Sequence, residues 1–281
     1  MRRASAALLA LVLPLAGCAA RPLASPTQRV AAPRSPAPSA FCAPMPAVAA
    51  HRGGTEKSLE NTLAAFRSAG EAGIKLWELD VRFDVKGTPV VLHDDTVDRV
   101  SPRTGSVTKL DASNHGIPTD DGQYVPTLRQ VYDLAAQQHA HVLTELKVMP
   151  SERQWRAVTD QIDETIGRSA VTLMAFDKRI VRQQRERFPG TEVGVLNDKG
   201  NLSAEQIQEY GDSYMQSARS ITGSRAEARH AAGIRLYAWT VDDPASWERL
   251  SAWPVDVVIT NKPIAYERWA GKRCRPVAPD R

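Results

Sequence analysis

From residue 47 onward, short apolar segments alternate with longer segments in which apolar residues recur every three or four positions. The short segments have the length of buried strands, and the longer ones have the periodicity of helices with one apolar face. We predict eight such strands, which begin at residues 47, 76, 142, 171, 192, 213, 234 and 255. A helix follows each strand, including helices predicted over residues 59–71 and 152–166, so the strands are expected to be parallel. Eight strand–helix units in 281 residues indicate an α/β fold, a closed (β/α)8 TIM barrel, with an open doubly wound sheet as the alternative.

The segment after the second strand departs from this alternation. Residues 83–93 alternate apolar and polar side chains around Lys86-Gly87, which is a turn signal of a β-hairpin. Strands joined by so short a turn are antiparallel, so the second arm does not belong to a parallel barrel. Residues 96–126 are rich in Thr, Ser, Gly, Asn and Asp and show little periodicity. The hairpin and this loop-rich stretch are therefore expected to form an excursion above the barrel mouth.

The first 42 residues differ in composition from the barrel. Two arginines precede a short apolar stretch that cannot span a bilayer but is typical of a signal peptide. The Leu-Ala-Gly-Cys sequence that follows resembles the bacterial lipobox, which predicts a signal peptide over residues 1–17 and lipidation of Cys18. An ordinary secretory signal is the alternative. Residues 18–42 are rich in Pro, Ala and Ser and are expected to be a lipidated tether, so we predict an exported bacterial lipoprotein anchored at the periplasmic face or outer membrane.

Two further cysteines flank the predicted barrel, since Cys42 precedes the first strand and Cys274 follows the last helix. The first strand and the last helix of a closed barrel are neighbours, and export into an oxidising compartment permits a disulfide. A Cys42–Cys274 disulfide is one expectation, and two free thiols are the alternative. The barrel domain is expected over residues 43–274, followed by a tail at residues 275–281.

The charge pattern narrows the class of partner. The net charge is +4 and the pI is about 9.0, but the basic residues are scattered among acidic ones. Because nucleic acid binding usually needs basic residues clustered on one surface, we do not expect a nucleic acid partner. A mildly basic surface suits an anionic small molecule or lipid head groups instead.

Polar side chains collect at the predicted carboxyl ends of several strands, where the active site of a TIM barrel lies. Glu78 and Asp80 are two residues apart on one strand and therefore point to the same face, as do Glu145 and Lys147 on the next. Three carboxylates at one barrel mouth would repel one another unless a cation lies among them. Oxygen ligands without cysteine favour a hard divalent cation, Ca²⁺ or Mg²⁺.

Basic residues and histidines complete this predicted site. Arg52 lies at the end of the first predicted strand, and Lys147 ends the third. With these two basic side chains, three ionised carboxylates and one divalent cation, the site has one net positive charge, which a monoanionic phosphodiester would neutralise. His51 ends the first predicted strand, and His93 ends the hairpin arm. Two imidazoles that titrate near neutrality can act as base and acid in one displacement.

At these residues the sequence resembles the glycerophosphodiester phosphodiesterase family. The resemblance runs in family order across about residues 46–270. The stretches that carry it are Ala50-His51-Arg52-Gly53, Leu59-Glu60-Asn61-Thr62, Glu78-Leu79-Asp80-Val81, Pro89-Val90-Val91-Leu92-His93-Asp94, Val125-Pro126-Thr127-Leu128, Glu145-Leu146-Lys147, Ala238-Trp239-Thr240-Val241 and Ile259-Thr260-Asn261-Lys262-Pro263.

The resemblance implies a TIM barrel with a small subdomain inserted at about residues 82–126. It implies an enzyme that splits a glycerophosphodiester into an alcohol and sn-glycerol 3-phosphate. The implied roles are acid–base catalysis by His51 and His93, binding of one divalent cation by Glu78, Asp80 and Glu145, phosphate binding by Arg52 and Lys147, and lining of the substrate cleft by Trp239 and Phe176.

Several positions depart from the family pattern. Leu59 stands where the family usually has Pro, Asp242 where Asn is commoner, and Asn261 where Asp is usual. Glu60 is expected to brace its loop rather than to bind the cation. Water and the neighbouring glycerol hydroxyl are alternative first nucleophiles.

Two other functions remain alternatives. One is a phosphodiesterase of the same fold that acts on lysophospholipids, with an apolar groove built by residues 96–126. The other is a non-catalytic lipoprotein that binds a ligand.

Overall fold

The structure, a computed structural model, describes residues 42–43, 45–273 and 275–276. The predicted signal peptide, the lipidated Cys18 and nearly all of the predicted tether lie outside the described residues, as do Cys274 and the side chain of Cys42. The lipid anchor and the disulfide therefore stay predictions. Within the described part of the chain, no helix has the length and apolarity needed to cross a membrane.

Eight parallel strands close into a barrel. Each neighbours the next in the order β2-β10-β9-β8-β7-β6-β5-β3, and β3 also pairs with β2. The predicted TIM barrel is therefore confirmed. The described residues form strands β1 (Cys42–Ala43), β2 (Ala47–Ala50), β3 (Leu76–Phe83), β4 (Pro89–Val91), β5 (His141–Leu146), β6 (Val171–Ala175), β7 (Glu192–Asn197), β8 (Ser213–Ser217), β9 (Arg235–Trp239), β10 (Val257–Thr260) and β11 (Arg275–Pro276).

Helices follow the barrel strands and cover the outside of the sheet. Most begin at a residue whose side chain accepts a hydrogen bond from the first helical turn; Thr127 and Gln130 form a reciprocal capping box at the start of the second helix. The described α-helices are α1 (Leu63–Glu71), α2 (Leu128–Gln138), α3 (Glu152–Gln161), α4 (Lys178–Arg187), α5 (Ala204–Tyr210), α6 (Gly223–Ala231), α7 (Pro244–Ser251) and α8 (Pro263–Ala270).

Two helices differ from the sequence prediction. The helix predicted from residue 59 begins at Leu63, because the Thr62 side chain caps it and Asn61 has a left-handed backbone with φ of 57°. The helix predicted over residues 152–166 ends at Gln161 and continues as one π-helical turn, Ile162–Ile166. Apolar periodicity alone does not distinguish these turns from α-helix.

Strand residues alternate between two apolar layers, as the two-residue period of a strand requires. Leu79, Val81 and Leu146 pack in the outer layer against the helices. Leu143 and Met174 belong to a separate cluster, which fills the barrel interior below the mouth. The polar ends of the strands therefore lie on a packed floor.

The predicted hairpin after the second strand is confirmed. Strand β4 pairs with β3 in antiparallel register, with Val91 opposite Val81. The following residues pack around a small apolar core of their own, which includes Val97, Val107 and Ile117. This inserted segment rejoins the barrel where the backbone N–H of Val91 donates to the carbonyl of Pro126.

Candidate active site

The turn after β2 sets the positions of His51 and Arg52. These residues form a single 3-10 turn, in which Arg52 has φ of 53° and Gly53 has φ of 85°. A side chain at Gly53 would place its Cβ 2.9 Å from the Cβ of Ala65, so only glycine fits against α1. This turn directs the backbone N–H of Arg52 to the Glu78 carboxylate, at 2.9 Å.

The three predicted cation ligands lie together. Glu78 and Asp80 are on β3, and Glu145 is the register partner of Asp80 on β5. One carboxylate oxygen from each lies within 4.8 Å of the others. All three side chains are buried.

Burial and mutual repulsion shift the acidities of these carboxyl groups. Burial, Asp80 and Glu145 together raise the pKa of Glu78 well above its usual range. Burial and the Asp80 charge raise the pKa of Glu145 to about 7. Burial opposes ionisation of Asp80 too, but Arg52 and Lys147 outweigh it and lower the pKa of that carboxyl. The cluster therefore has an excess of negative charge that a divalent cation would offset, and its oxygen-only donors suit Ca²⁺ or Mg²⁺.

We expect this excess charge to appear in the stability of the metal-free protein. The pKa of Glu145 is raised to about 7, so the folded protein binds the Glu145 proton more tightly than the unfolded chain does. The resulting stabilisation of the folded state is present in full below about pH 4.5 and is lost as pH rises through 7. Glu145→Gln should therefore stabilise the metal-free protein relative to wild type at pH 8, by roughly 3 kcal/mol, and much less at pH 5. Denaturant unfolding of both proteins in chelator checks this, and a difference that does not grow with pH would contradict it.

Two basic side chains line the same cavity. Lys147 Nζ lies 2.9 Å from Glu145 Oε1 and 3.4 Å from Asp80 Oδ1. Arg52 Nε lies 3.2 Å from Asp80 Oδ2, an ionic contact whose angle leaves the buried Nε–H without a hydrogen-bond acceptor. An oxygen of a bound phosphate is the kind of acceptor that this N–H lacks.

His93 lies at the end of the hairpin arm beside a carboxylate. Its Nδ1 is 2.6 Å from Asp94 Oδ1. Burial disfavours the charged form of Asp94, but hydrogen bonds from Arg99 and His93 prevail and lower its pKa to about 2. Asp94 is therefore ionised at neutral pH, so His93 Nδ1 faces a carboxylate that can only accept a hydrogen bond.

Arg99 ties the inserted segment to both sides of the site. Its Nε donates to Asp94 Oδ2 at 2.7 Å, and one of its terminal nitrogens donates to Glu60 Oε1, also at 2.7 Å. Arg52 donates to the same Glu60 oxygen at 2.8 Å. Glu60 thus braces two arginines and lies outside the carboxylate cluster, as expected. The sequence analysis missed Arg99, because an arginine in an aperiodic loop carries no signal of its position.

His51 has a different partner from His93. Its Nδ1 is 2.7 Å from the side-chain oxygen of Asn261, at the end of β10. Its Nε2 points toward the carboxylates, 3.9 Å from Glu78 Oε2. Burial and the nearby Arg52 charge lower the pKa of His51, so the ring is neutral at pH 7.

The opposite wall of the cavity is apolar. Met174, Leu196 and Ile259 line it beside the aromatic pair Phe176 and Trp239. The two aromatic rings meet edge to face with centroids 5.5 Å apart, and Trp239 Nε1 donates to the carbonyl of Met215. All nine site residues predicted from the sequence therefore border one cavity of about 140 Å³, although their individual roles stay predictions.

Comparison with known proteins gives the same family as the sequence motifs. The model of the glycerophosphoryl diester phosphodiesterase family matches residues 51–265, about three quarters of the chain. The chain belongs to this family. It is 29% identical over 230 residues to a glycerophosphodiester phosphodiesterase of Caldanaerobacter subterraneus subsp. tengcongensis, covering 77% of this chain and 94% of that protein. The family resemblance found in the sequence motifs is therefore confirmed, and the chain is an enzyme of the phosphoric diester hydrolase class.

Solved structures of glycerophosphodiester phosphodiesterases and related phosphodiesterases share the fold. An Oleispira antarctica phosphodiesterase in complex with the product sn-glycerol-3-phosphate aligns with a TM-score of 0.75 at 22% identity, covering 81% of this chain and 97% of that one. A glycerophosphodiester phosphodiesterase from Thermotoga maritima aligns with a TM-score of 0.65 at 24% identity, covering 79% and 97%. These likenesses show that the family barrel is common to all three chains.

Proposed function

We propose that this enzyme hydrolyses glycerophosphodiesters to an alcohol and sn-glycerol 3-phosphate, in a metal-dependent reaction with His51 and His93 as base and acid. The observation that carries the proposal is a single cavity with two differently partnered imidazoles, three buried carboxylates and two basic side chains. Glu78, Asp80 and Glu145 would hold one Ca²⁺ or Mg²⁺ ion, which when bound would polarise a phosphoryl oxygen.

The chain's own residues supply the remaining steps. Arg52 and Lys147 bind the non-bridging phosphoryl oxygens and orient the diester. Neutral His51 takes the proton of the attacking hydroxyl, from water or from the substrate's glycerol, through Nε2. As the new P–O bond forms, the P–O bond to the alcohol breaks and protonated His93 gives its proton to the leaving oxygen. When water attacks, this step gives sn-glycerol 3-phosphate directly. When the glycerol hydroxyl attacks, it gives a cyclic phosphate, and a water molecule then breaks one ring P–O bond to form sn-glycerol 3-phosphate.

The different partners of the two histidines support this division. An amide oxygen faces His51 and adds no full charge, so the ring stays neutral and able to accept a proton. A carboxylate faces His93 and accepts from its Nδ1, which leaves Nε2 to hold the proton that is given to the leaving oxygen. The name of the Caldanaerobacter relative and the sn-glycerol-3-phosphate held by the Oleispira enzyme agree with the proposed substrate and product classes.

The apolar wall favours one second candidate, a phosphodiesterase of the same fold that acts on lysophospholipids. Phe176 is 46% exposed at the cavity edge, and Val148 and Met149 are exposed just after Lys147. An acyl chain could lie over this side of the mouth. The apolar surface comes from residues after β5 and β6, and not from residues 96–126 as the sequence analysis expected for this substrate class.

We expect the unit formed by residues 40–281 to release sn-glycerol 3-phosphate from glycerophosphocholine with Ca²⁺ or Mg²⁺, and not with chelator. Enzymatic measurement of sn-glycerol 3-phosphate checks this. Lysophosphatidylcholine, assayed in parallel for choline release, separates the two substrate classes. Turnover of the lysolipid alone would favour the second candidate, and release that chelator leaves unchanged would remove the metal from the proposal.

A further inference from the structure

The Asn261 amide joins His51 to a carboxylate that does not touch the histidine. Its Oδ1 is 2.7 Å from His51 Nδ1, and its Nδ2 donates to Asp242 Oδ2, also at 2.7 Å. Asp242 lies in the loop after β9, whereas Asn261 follows β10. Three groups from separate parts of the barrel mouth therefore form one hydrogen-bonded chain.

Asp242 is itself held in place. Its Oδ1 accepts from the Thr260 hydroxyl at 2.9 Å and from the backbone N–H of Asn261 at 2.8 Å. An ionised carboxylate only accepts hydrogen bonds, so the side of the Asn261 amide that faces Asp242 must be its NH2 group. The amide oxygen is thereby turned toward His51.

The orientation of the amide decides which ring nitrogen carries the proton. An amide oxygen can only accept, so Nδ1 of His51 must donate, and in the neutral ring Nε2 then has the lone pair. Nε2 is the nitrogen that points toward the carboxylate cluster. If the amide were reversed, its NH2 group would face Nδ1, and the proton would move to Nε2.

We infer that Asp242 is a positioning residue that, through Asn261, fixes His51 as the Nδ1–H tautomer with Nε2 ready to accept a proton. This inference rests on the proposed role of His51 as the base. A carboxylate in direct contact, as at His93, would also fix the tautomer but would place a full negative charge directly beside the ring. The intervening Asn261 amide fixes the tautomer of His51, while the negative charge of Asp242 stays one side chain away from the ring.

The substitution Asp242→Asn tests this hydrogen-bonded chain with almost no change in side-chain shape. The new amide can still accept from Thr260 and from the Asn261 backbone, but its NH2 group meets the NH2 group of Asn261. The Asn261 side chain should then reverse, and His51 should switch to the Nε2–H tautomer. We expect kcat to fall about 100-fold, the low end for loss of a general base, with little change in KM.

The reciprocal double variant should restore the hydrogen-bonded chain from residue 242 to His51. In Asp242→Asn with Asn261→Asp, the amide donates to the carboxylate, which accepts from His51 Nδ1. Asn261→Asp alone would place two carboxylates face to face and should also lower kcat. The double variant should have a higher kcat than either single variant. A general loss of packing would not show this recovery.

Asp243→Asn is the matched control, since it removes the same charge one residue away. The Asp243 side chain caps α7 by accepting from the Ser246 N–H, and asparagine caps helices equally well. We expect its kcat and the His51 tautomer to stay as in wild type. A comparable loss of kcat in Asp243→Asn would mean that charge, and not the hydrogen-bonded chain, is responsible.

The tautomer itself is measured by ¹⁵N NMR of the full chain with labelled histidines, and the His51 signals are assigned by their loss in His51→Ala. Wild type and the double variant should show Nδ1–H, and Asp242→Asn should show Nε2–H. An Nε2–H ring in wild type, or an unchanged tautomer in Asp242→Asn, overturns the inference. The wild-type result needs no variant, so it stands even if Asp242→Asn is unstable. Because this measurement needs no substrate, absence of diesterase activity would refute the proposed function and leave the tautomer test standing.

Discussion

Replacement of His93 or His51 by alanine should lower kcat by about 10²–10⁴-fold while the barrel stays folded. Each ring is proposed to move one proton in the displacement, and no other imidazole borders the cavity among the described residues. His93 is also held through its backbone, because Arg82 Nε donates to its carbonyl, so loss of the ring should leave the hairpin arm in place. Steady-state kinetics with circular dichroism checks both points.

His115→Ala is the control for these two variants. His115 is exposed on the inserted segment and packs against Tyr124 with ring centroids 4.6 Å apart, away from the cavity. Its removal should leave kcat unchanged. The His93 ring is about one third exposed, so added imidazole should partly rescue His93→Ala. A variant of either site histidine that turns over substrate at the wild-type rate would lose its assigned role.

Glu78→Gln should weaken metal binding but raise the stability of the metal-free protein. We expect the metal concentration for half-maximal activity to rise at least about 100-fold, since even residues that only support metal ligands alter affinity 10–100-fold. The metal-free protein should instead unfold at a higher temperature, because burial, Asp80 and Glu145 all disfavour the Glu78 charge. Glutamine keeps an oxygen for the Arg52 backbone N–H.

Glu60→Gln provides the contrast for this variant. Glu60 accepts hydrogen bonds from Arg52 and Arg99, which offset its burial and lower its pKa, so its charge is stabilised in the folded protein. Loss of that charge should lower the unfolding temperature and leave the metal titration nearly unaltered. Thermal unfolding with and without chelator compares the two variants. An unaltered metal titration in Glu78→Gln would remove Glu78 from the ligand set.

The sequence was sufficient to predict the barrel and most of the site because both follow local rules. Apolar strands at regular intervals indicate the barrel, and barrel geometry brings the strand ends together, so the sequence alone places Glu78, Asp80 and Glu145 at one mouth. The Lys86-Gly87 turn likewise identified the antiparallel arm that brings His93 to the mouth. These features need only spacing and chain direction.

The residues that orient the site could not be predicted in the same way. Arg99 lies in an aperiodic loop, and only the packing of the inserted segment shows that it reaches Asp94 and Glu60. Asn261 was noted for its departure from the family pattern, but its contact with His51 spans 210 residues. Such contacts depend on side-chain direction across the closed barrel, which neither periodicity nor propensity specifies.

The closure of the sheet also sets when activity can arise during folding. Strand β2 pairs with β10 and with β3, so the first barrel strand is enclosed only after the last one has joined. The loop that this pairing closes spans most of the chain and is among the slowest to form by contact-order arguments. His51 and Asn261 lie on either side of that seam. A folding intermediate with an open sheet would lack this contact, so the appearance of turnover should mark completion of the barrel.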